Sequence, residues 1–382
     1  MRACALSRFA VGICTIAWLL FGCGRSQPAT VTSAILPKSS DRPTYNVCLG
    51  HEAGIFLPTL AVRSANVEPG IPAGLTPSNL ESAYNLPSLT KGVGQIVAVV
   101  EVCDNPNVAA DQAQYRSEFG LPHGNFYKFN QYGEQRSYPP ARRGLGTFID
   151  VDVEMVTATC PNCTIDLIEA NGLDQSDLQT AESTAVSLGA RIVNNAWGCD
   201  GYGCVDPSYF DAKGVTYVAL GAVPYGTEVY PADFDTVVAV GGTYLSQGGG
   251  GKRGWTETVW KGAGGGCFPD DPKPPWQQTT TCSGRVSNDV SMDAWNVVAF
   301  DSYDDVSKGG WINVGGTGVP TGLISGVFAL AGNAKEQDGG RTFWSAMHQR
   351  HLYKLVCEGS CIYGSRFSYA DGWGSPHGIG AF

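Results

Sequence analysis

Two cysteines at 160 and 163, in the run Cys160-Pro161-Asn162-Cys163, form the pattern with the most direct chemical meaning in this chain. Cysteines at this spacing can form a redox pair, half of a zinc site or a structural disulfide. A zinc site needs four ligands, and the sequence has no second Cys-x-x-Cys and no nearby histidine to complete it. The pattern therefore favours a structural disulfide.

The remaining cysteines support the same interpretation. Of the 13 cysteines, Cys4 and Cys14 lie in an N-terminal leader and Cys23 follows it directly. An even ten are left, which in an exported chain predicts up to five disulfides. Their spacing favours the pairs Cys160–Cys163, Cys199–Cys204, Cys267–Cys282 and Cys357–Cys361, which leaves Cys48 with Cys103.

Residues 1–22 have the composition of an export signal, with Arg2 and Arg8 ahead of the apolar stretch 9–21. The leader ends in Leu20-Phe21-Gly22-Cys23, which resembles the bacterial lipobox, where the cysteine is lipid-modified after cleavage. We expect Cys23 to carry a lipid in the cell envelope. Plain secretion, with cleavage nearby and an extracellular product, is the alternative. We expect the lipid on Cys23 to be the attachment to the membrane, because no later segment is long and apolar enough to span a bilayer.

The composition indicates a folded, acidic protein. Only 16% of the 382 residues are charged and 43% are hydrophobic, which is the opposite of the balance in disordered chains. The formal net charge is −10, and no cluster of Lys and Arg offers a surface for phosphates. We therefore expect no nucleic-acid partner, and we expect a monomer.

Strand and helix patterns alternate along most of the chain. Residues 23–73 are rich in Ser, Pro, Thr and Ala and predict a tether and an irregular N-terminal arm, followed by one domain over 74–382. Helices are predicted at 106–119 and 173–188. Strands are predicted at 95–101, 164–169, 191–194, 215–220 and 236–240. This alternation predicts an α/β fold with a mainly parallel sheet.

From Leu75 onward the chain resembles the sedolisin family, the serine-carboxyl peptidases with a subtilisin-like fold. Nine motifs carry the resemblance in the family's order: 75–84, 104–107, 115–122, 160–163, 230–232, 239–243, 254–260, 289–291 and 310–317. The resemblance implies a three-layer fold with a mainly parallel central sheet, braced here by disulfides. It also implies a Ser nucleophile, a Glu base oriented by an Asp four residues later, and a second Asp at the oxyanion.

At three of the four positions that the resemblance implies for catalysis, this chain has a residue that cannot perform the expected role. Gly318 occupies the serine position and cannot form an acyl-enzyme. Phe148 occupies the Glu position, one helical turn before the retained Asp152. The oxyanion Asp position falls on Ala222, or on Val223 if a one-residue insertion comes earlier.

Relocated groups would have to come from close by. Thr317, Thr321 and Ser325 are the hydroxyls nearest to the lost serine. Asp233 and Asp235 would reach the oxyanion only after a large loop shift. Asp150 and Glu154 lie two residues from Asp152 and should point away from it.

The calcium site that the family has near its C-terminus is also altered. Lys354 stands where the resemblance implies a carboxylate ligand, and a gap ambiguity near Arg366 leaves Asp371 as a substitute. We expect no cofactor and no bound calcium, with Lys354 and Arg366 supplying charge in place of the ion.

These observations favour an exported sedolisin-type homologue that is catalytically inactive and binds a peptide or protein in the former cleft. Two alternatives stay open. One is an active acid serine endopeptidase with relocated catalytic groups, and the other is a structural surface lipoprotein.

Overall fold

Parallel strands separated by helices form the centre of the molecule, as the β-branched runs of the sequence predict. The computed structural model describes residues 55–56, 60–63, 73–201, 203–221, 229–248, 252–277, 281–304, 309–355 and 367–382. The leader, Cys23 and the oxyanion position lie outside these ranges.

The described residues form seventeen strands. They are β1 Ile55–Phe56, β2 Leu60–Arg63, β3 Ile96–Val102, β4 Phe126–Asn130, β5 Thr164–Ala170, β6 Ile192–Asn195, β7 Gly198–Cys199, β8 Thr216–Leu220, β9 Val237–Gln247, β10 Trp255–Val259, β11 Cys267–Phe268, β12 Arg285–Val286, β13 Val290–Asp293, β14 Val297–Phe300, β15 Trp311–Gly316, β16 Leu352–Tyr353 and β17 Ser375–Pro376.

The same residues form six α-helices. They are α1 Pro77–Tyr84, α2 Val108–Glu118, α3 Gly146–Thr159, α4 Gln175–Ser187, α5 Gly318–Ala331 and α6 Ala346–Gln349.

The central sheet has the strand order β10-β9-β8-β6-β3-β5-β4, with β13 also pairing with β9. Every pair in it is parallel except β10 with β9. β9 runs to Gln247, beyond the predicted end at 240, because antiparallel pairing with β10 extends the ladder. The predicted α/β architecture and mainly parallel sheet are confirmed.

Helices α3 and α5 pack closely against each other on one side of the sheet. Residues 318–330 of α5 are all buried, as expected for a helix that is apolar around its whole circumference. Glycines allow the close approach: a Cβ at Gly322 would lie 2.9 Å from the Cβ of Met155, and one at Gly326 would lie 3.1 Å from the Val156 carbonyl oxygen.

Two short strands form in the segment that the composition predicts to be irregular. β1 pairs antiparallel with β7, and β2 pairs antiparallel with β15. A run with no alternating pattern becomes extended here because the folded domain presents two strand edges to it. The arm therefore contributes ordered structure to the domain.

Three of the predicted disulfides are confirmed: Cys160–Cys163, Cys199–Cys204 and Cys267–Cys282. Cys103 is disulfide-bonded as well. Its predicted partner Cys48 lies outside the described residues, as do Cys357 and Cys361. None of the described helices combines the length and apolar character that crossing a membrane requires.

Candidate functional site

Helix α3 carries acids on two different faces. Asp152 Oδ2 accepts a hydrogen bond from Asn194 Nδ2 of β6 at 3.4 Å. Asp150 accepts instead from Asn105 Nδ2 at 2.8 Å. Glu154 accepts from the backbone N–H of Phe300 at 2.9 Å. Asp150 and Glu154 thus have partners of their own, separate from those of Asp152.

The contacts between α3 and α5 locate Gly318 relative to α3. Gly322 lies against Asp152 and Met155, and Gly326 lies against Val156 and Thr159. Successive turns of α5 therefore contact successive turns of α3. One turn before Gly322, the same register places Gly318 beside the turn that holds Phe148 and Asp152. The positions assigned to serine, base and orienting acid are thus neighbours in space.

Asp152 forms a buried carboxyl pair with Glu101, the penultimate residue of β3. Burial raises the pKa of Asp152 well above its ordinary range, and the Glu101 charge and their mutual hydrogen bond raise it further. Burial also raises the pKa of Glu101, and the hydrogen bond from Asp152 partly offsets this. Burial and the neighbouring carboxyl thus both favour the protonated form of Asp152.

Sequence reasoning missed Glu101, although a signal for it was present. It is the one acid near the end of an otherwise apolar strand, Ile96–Val102. The carboxyl ends of parallel strands are where such folds place their sites. A lone acid at the carboxyl end of a buried strand is therefore a signal for a site residue, even without a recognised motif.

The hydroxyls around Gly318 lack an activating base. Thr321 Oγ1 donates to the Thr317 carbonyl oxygen at 2.9 Å. Ser325 Oγ contacts the Thr321 carbonyl oxygen and Asn194 Oδ1, each at 2.9 Å. Thr317 Oγ1 is buried and has no hydrogen-bond partner in the described part of the chain. A nucleophile needs a base within about 3.2 Å, and none of these hydroxyls bonds to a carboxylate or imidazole there.

Ala222 and Val223, the residues assigned to the oxyanion position, lie outside the described residues. Asp233 and Asp235, the two acids considered as substitutes, lie within them. Asp233 is 6% exposed, and its Oδ2 accepts from the Val229 N–H at 2.6 Å, within its own turn. Asp235 is exposed to solvent.

The N-terminal arm pairs with two strand edges, one on β15 and one on β7. β15 leads through Thr317 into Gly318, and Leu60 pairs with Gly316, two residues before it. β7 begins four residues after Asn194, and Phe56 pairs with Gly198. The arm thus runs along one edge and then along the other.

Lys354 lies exposed just after β16, and Arg366 is outside the described residues. Asp371 is buried and accepts a hydrogen bond from Ser368 Oγ. Burial raises the pKa of Asp371 to about 6.

A different cluster has the donors that a metal would need. One carboxylate oxygen from each of Asp111, Asp150 and Asp301 lies within 4.8 Å of the others. Ser302 Oγ donates to Asp111 at 2.6 Å, and Thr147 Oγ1 donates to Asp301. Burial raises the pKa of all three carboxyls, which favours their protonated forms.

Comparison with curated proteins finds similarity to kumamolisin. Kumamolisin from Bacillus sp. (strain MN-32) is 25% identical over 300 residues, which cover 69% of this chain and 53% of kumamolisin. The chain thus spans about half the length of that curated relative. No protein-family model matches.

Solved structures show the same fold. Pseudomonas sedolisin, a serine-carboxyl proteinase complexed with two molecules of pseudo-iodotyrostatin, superposes with a TM-score of 0.68 at 21% identity, covering 81% of this chain and 96% of that one. Fervidolysin from Fervidobacterium pennivorans, a keratinolytic enzyme related to subtilisin, superposes with a TM-score of 0.52 at 15% identity, covering 76% and 42%. Together, these comparisons show that the chain has the subtilisin-like fold of sedolisin and is similar in sequence to kumamolisin over 69% of its length.

Proposed function

We propose that this protein is a catalytically inactive sedolisin homologue that holds an extended peptide in the former cleft. Gly318 is the observation that carries the proposal. It occupies the position of the nucleophile at the first residue of the buried helix α5, and glycine offers no atom for an acyl bond.

The surrounding residues support the loss of chemistry. Phe148 accepts no proton, and burial beside Glu101 raises the pKa of Asp152 well above its ordinary range, so that Asp152 is a poor base. A nucleophile, a base and an oxyanion donor each contribute orders of magnitude to peptide hydrolysis. Removal of the nucleophile and the base together should leave no measurable turnover.

Binding a peptide requires fewer reactive groups than cleaving it does. An extended peptide can be held by main-chain hydrogen bonds to an exposed strand edge, with no reactive side chain. The edges of β7 and β15 can accept an extended strand, because β1 and β2 pair with them in this way. We therefore place peptide binding at these edges.

We further propose that the protein is exported through residues 1–22 and either anchored by a lipid on Cys23 or secreted. Disulfides persist in oxidising compartments, and the three described disulfides support this location.

A cleavage assay tests the loss of activity. The purified protein is incubated with an unfolded protein mixture between about pH 3 and pH 7, and new peptide ends are identified by mass spectrometry. Asp152→Ala is assayed in parallel. We expect no new ends above the blank in either sample.

New ends that disappear in Asp152→Ala would overturn the proposal and establish an acid peptidase with relocated groups. Thr317→Ala and Thr321→Ala would then identify the nucleophile. Absence of both cleavage and peptide affinity would instead favour a structural surface lipoprotein.

A further inference from the structure

Four buried acids meet where helices α2 and α3 contact β14 and the residue that follows it. Asp111 lies on α2, and Asp301 comes directly after β14. Asp150 and Glu154 lie on α3, one helical turn apart and therefore on the same face. Each of the four is at most 1% exposed. The fold thus gathers carboxyl groups from three segments in one buried place.

The separation of three of these acids fits a single metal ion. One carboxylate oxygen from each of Asp111, Asp150 and Asp301 lies within 4.8 Å of the other two. Calcium binds oxygens at about 2.3–2.6 Å, so two oxygens on opposite sides of one calcium ion are about 4.6–5.2 Å apart. One calcium ion can therefore contact all three carboxylates.

Two oxygens of this group are buried and have no hydrogen-bond partner among the described residues. They are Asp150 Oδ1 and Glu154 Oε1. The other oxygen of Asp150 accepts a hydrogen bond from Asn105 Nδ2 at 2.8 Å. The other oxygen of Glu154 accepts from the backbone N–H of Phe300 at 2.9 Å, which holds Glu154 next to Asp301. Because an unsatisfied buried oxygen is costly, the two free oxygens indicate that a further group binds here.

The described residues supply no positive charge to balance the four acids. None of the ion pairs in this part of the chain includes any of them. The charges that act on their carboxyl groups come from one another and from Asp304, which is also an acid. A divalent cation would satisfy the free oxygens and reduce the repulsion at the same time.

We propose that Asp111, Asp150 and Asp301 bind a calcium ion. Glu154 lies beside this site and adds a fourth negative charge. The site is separate from the C-terminal segment, where Lys354 stands at a ligand position and no calcium is expected. It is also independent of the proposed binding of peptides, because none of its residues belongs to the strand edges described above.

The surrounding oxygens favour calcium over magnesium. Calcium takes about six to eight oxygens in a flexible arrangement, whereas magnesium needs a compact octahedral shell at about 2.0–2.1 Å and retains several waters. Two hydroxyl oxygens already lie at the cluster: Ser302 Oγ is 2.6 Å from Asp111, and Thr147 Oγ1 bonds to Asp301. A crowded, buried set of oxygens of this kind suits the larger ion.

A bound ion would connect three separate segments of the fold. It would hold α3, which carries Phe148 and Asp152, against α2 and against the end of β14. When a chelator removes calcium, the carboxyl groups bind protons instead, because burial raises their pKa. The ion would therefore fix the position of the helix on which the former catalytic residues lie.

Calorimetric titration of the full-length chain tests the proposal. The protein is treated with EDTA, exchanged into metal-free buffer near about pH 7 and titrated with calcium chloride alone. We expect one ion per chain with a Kd of about 1 mM or lower, and binding of magnesium chloride at least about tenfold weaker. No binding at about 10 mM calcium would overturn the proposal, and equal affinity for the two ions would overturn the assignment to calcium.

A charge-removing substitution locates the ion. Asp111→Asn keeps the shape of the side chain, and Ser302, whose N–H and Oγ both donate to Asp111, can accept from the new amide through Oγ. We expect calcium affinity to fall at least about tenfold. Asp166→Asn is the matched control, because Asp166 is also a buried acid and its pKa is raised to about 6 by burial alone. It should leave calcium affinity unchanged.

Two further variants keep the test decisive if Asp111→Asn does not fold, which circular dichroism reports. Glu154→Gln retains an oxygen for the Phe300 N–H and removes one charge, so it should also weaken calcium binding. Asp371→Asn alters the buried acid near the C-terminus and should have no effect. Calcium binding that is lost in Asp371→Asn but retained in Glu154→Gln and Asp111→Asn would place the ion at the C-terminal position and overturn the proposal.

Discussion

Asp152 is a buried acid of α3 that lies beside Glu101 of β3, and Phe148 precedes it by one helical turn. Burial and the Glu101 carboxyl raise the pKa of Asp152 well above its ordinary range. Asn194 binds the same carboxyl group and connects it to Ser325 on α5. Asp152 thus belongs to a buried polar network that joins two strands, β3 and β6, with two helices, α3 and α5.

If Asp152 is protonated, asparagine should replace it with little loss. The asparagine amide can donate to Glu101 and accept from Asn194 in the same places as a neutral carboxyl. We expect Asp152→Asn to change the free energy of unfolding by less than about 1 kcal/mol near pH 5. Asp152→Ala leaves both partners buried and unsatisfied and should cost about 1–3 kcal/mol. Urea unfolding curves measure both; equal losses in the two variants would show that Asp152 is ionised.

At the scale of elements, the α3–α5 contact determines where the catalytic positions lie. Glycine at 322 and 326 lets the helices approach, so that residue 322 lies against Asp152 and Met155 and residue 326 against Val156 and Thr159. Helix propensity alone would favour alanine at both positions. Their retention as glycine reflects packing against α3.

Gly326→Ala should therefore destabilise the protein, although alanine is the better helix former. The new Cβ would lie 1.9 Å from Thr159 Oγ1 and 3.1 Å from the Val156 carbonyl oxygen, so the helices must separate. We expect a loss of about 1–3 kcal/mol in the free energy of unfolding. Ser183→Ala on the exposed face of α4 is the control and should stay within about 0.5 kcal/mol. A stable Gly326→Ala variant would contradict the close helix contact.

At the scale of the whole molecule, the described residues include many buried carboxyls, and several of these form no ion pair with a described cation. Burial raises the pKa of Asp150, Glu154 and Asp293 well above the ordinary range, and of Asp166 and Asp371 to about 6. Such groups bind protons more tightly in the folded state than in the unfolded chain. Their contribution to stability is complete below the unfolded pKa near 4 and is lost as the pH rises through the folded pKa.

We therefore expect the free energy of unfolding to fall as the pH rises from about 4 to about 7, with each such group contributing up to about 1.4 kcal/mol per pH unit. Denaturant midpoints at intervals across this range measure the effect. Asp166→Asn removes one titrating group and should flatten the slope between about pH 4 and pH 6. Stability that increases over this interval would refute the argument.

Much of the fold could be predicted from local pattern. The runs around Ile96–Val102 and Thr164–Ala170 are continuous and β-branched, and buried parallel strands require such runs. The three described disulfides join cysteines close in sequence, so short loops predict them. Helical periodicity predicts that Asp150 and Asp152 point apart, because residues two positions apart occupy different faces.

By itself, the sequence determined the α/β architecture, the similarity to sedolisins and the residue types at 148, 152 and 318. These properties follow from local composition, periodicity and motif order. Each of these signals can be found within a short stretch of the chain. Only the tertiary structure decided that Asp152 pairs with Glu101 and that the arm strands pair with the edges of β7 and β15. Glu101 and Asp152 are 51 positions apart in the sequence, and β2 and β15 about 250. No local pattern encodes such contacts, because the buried site and the strand edges exist only after the sheet has formed.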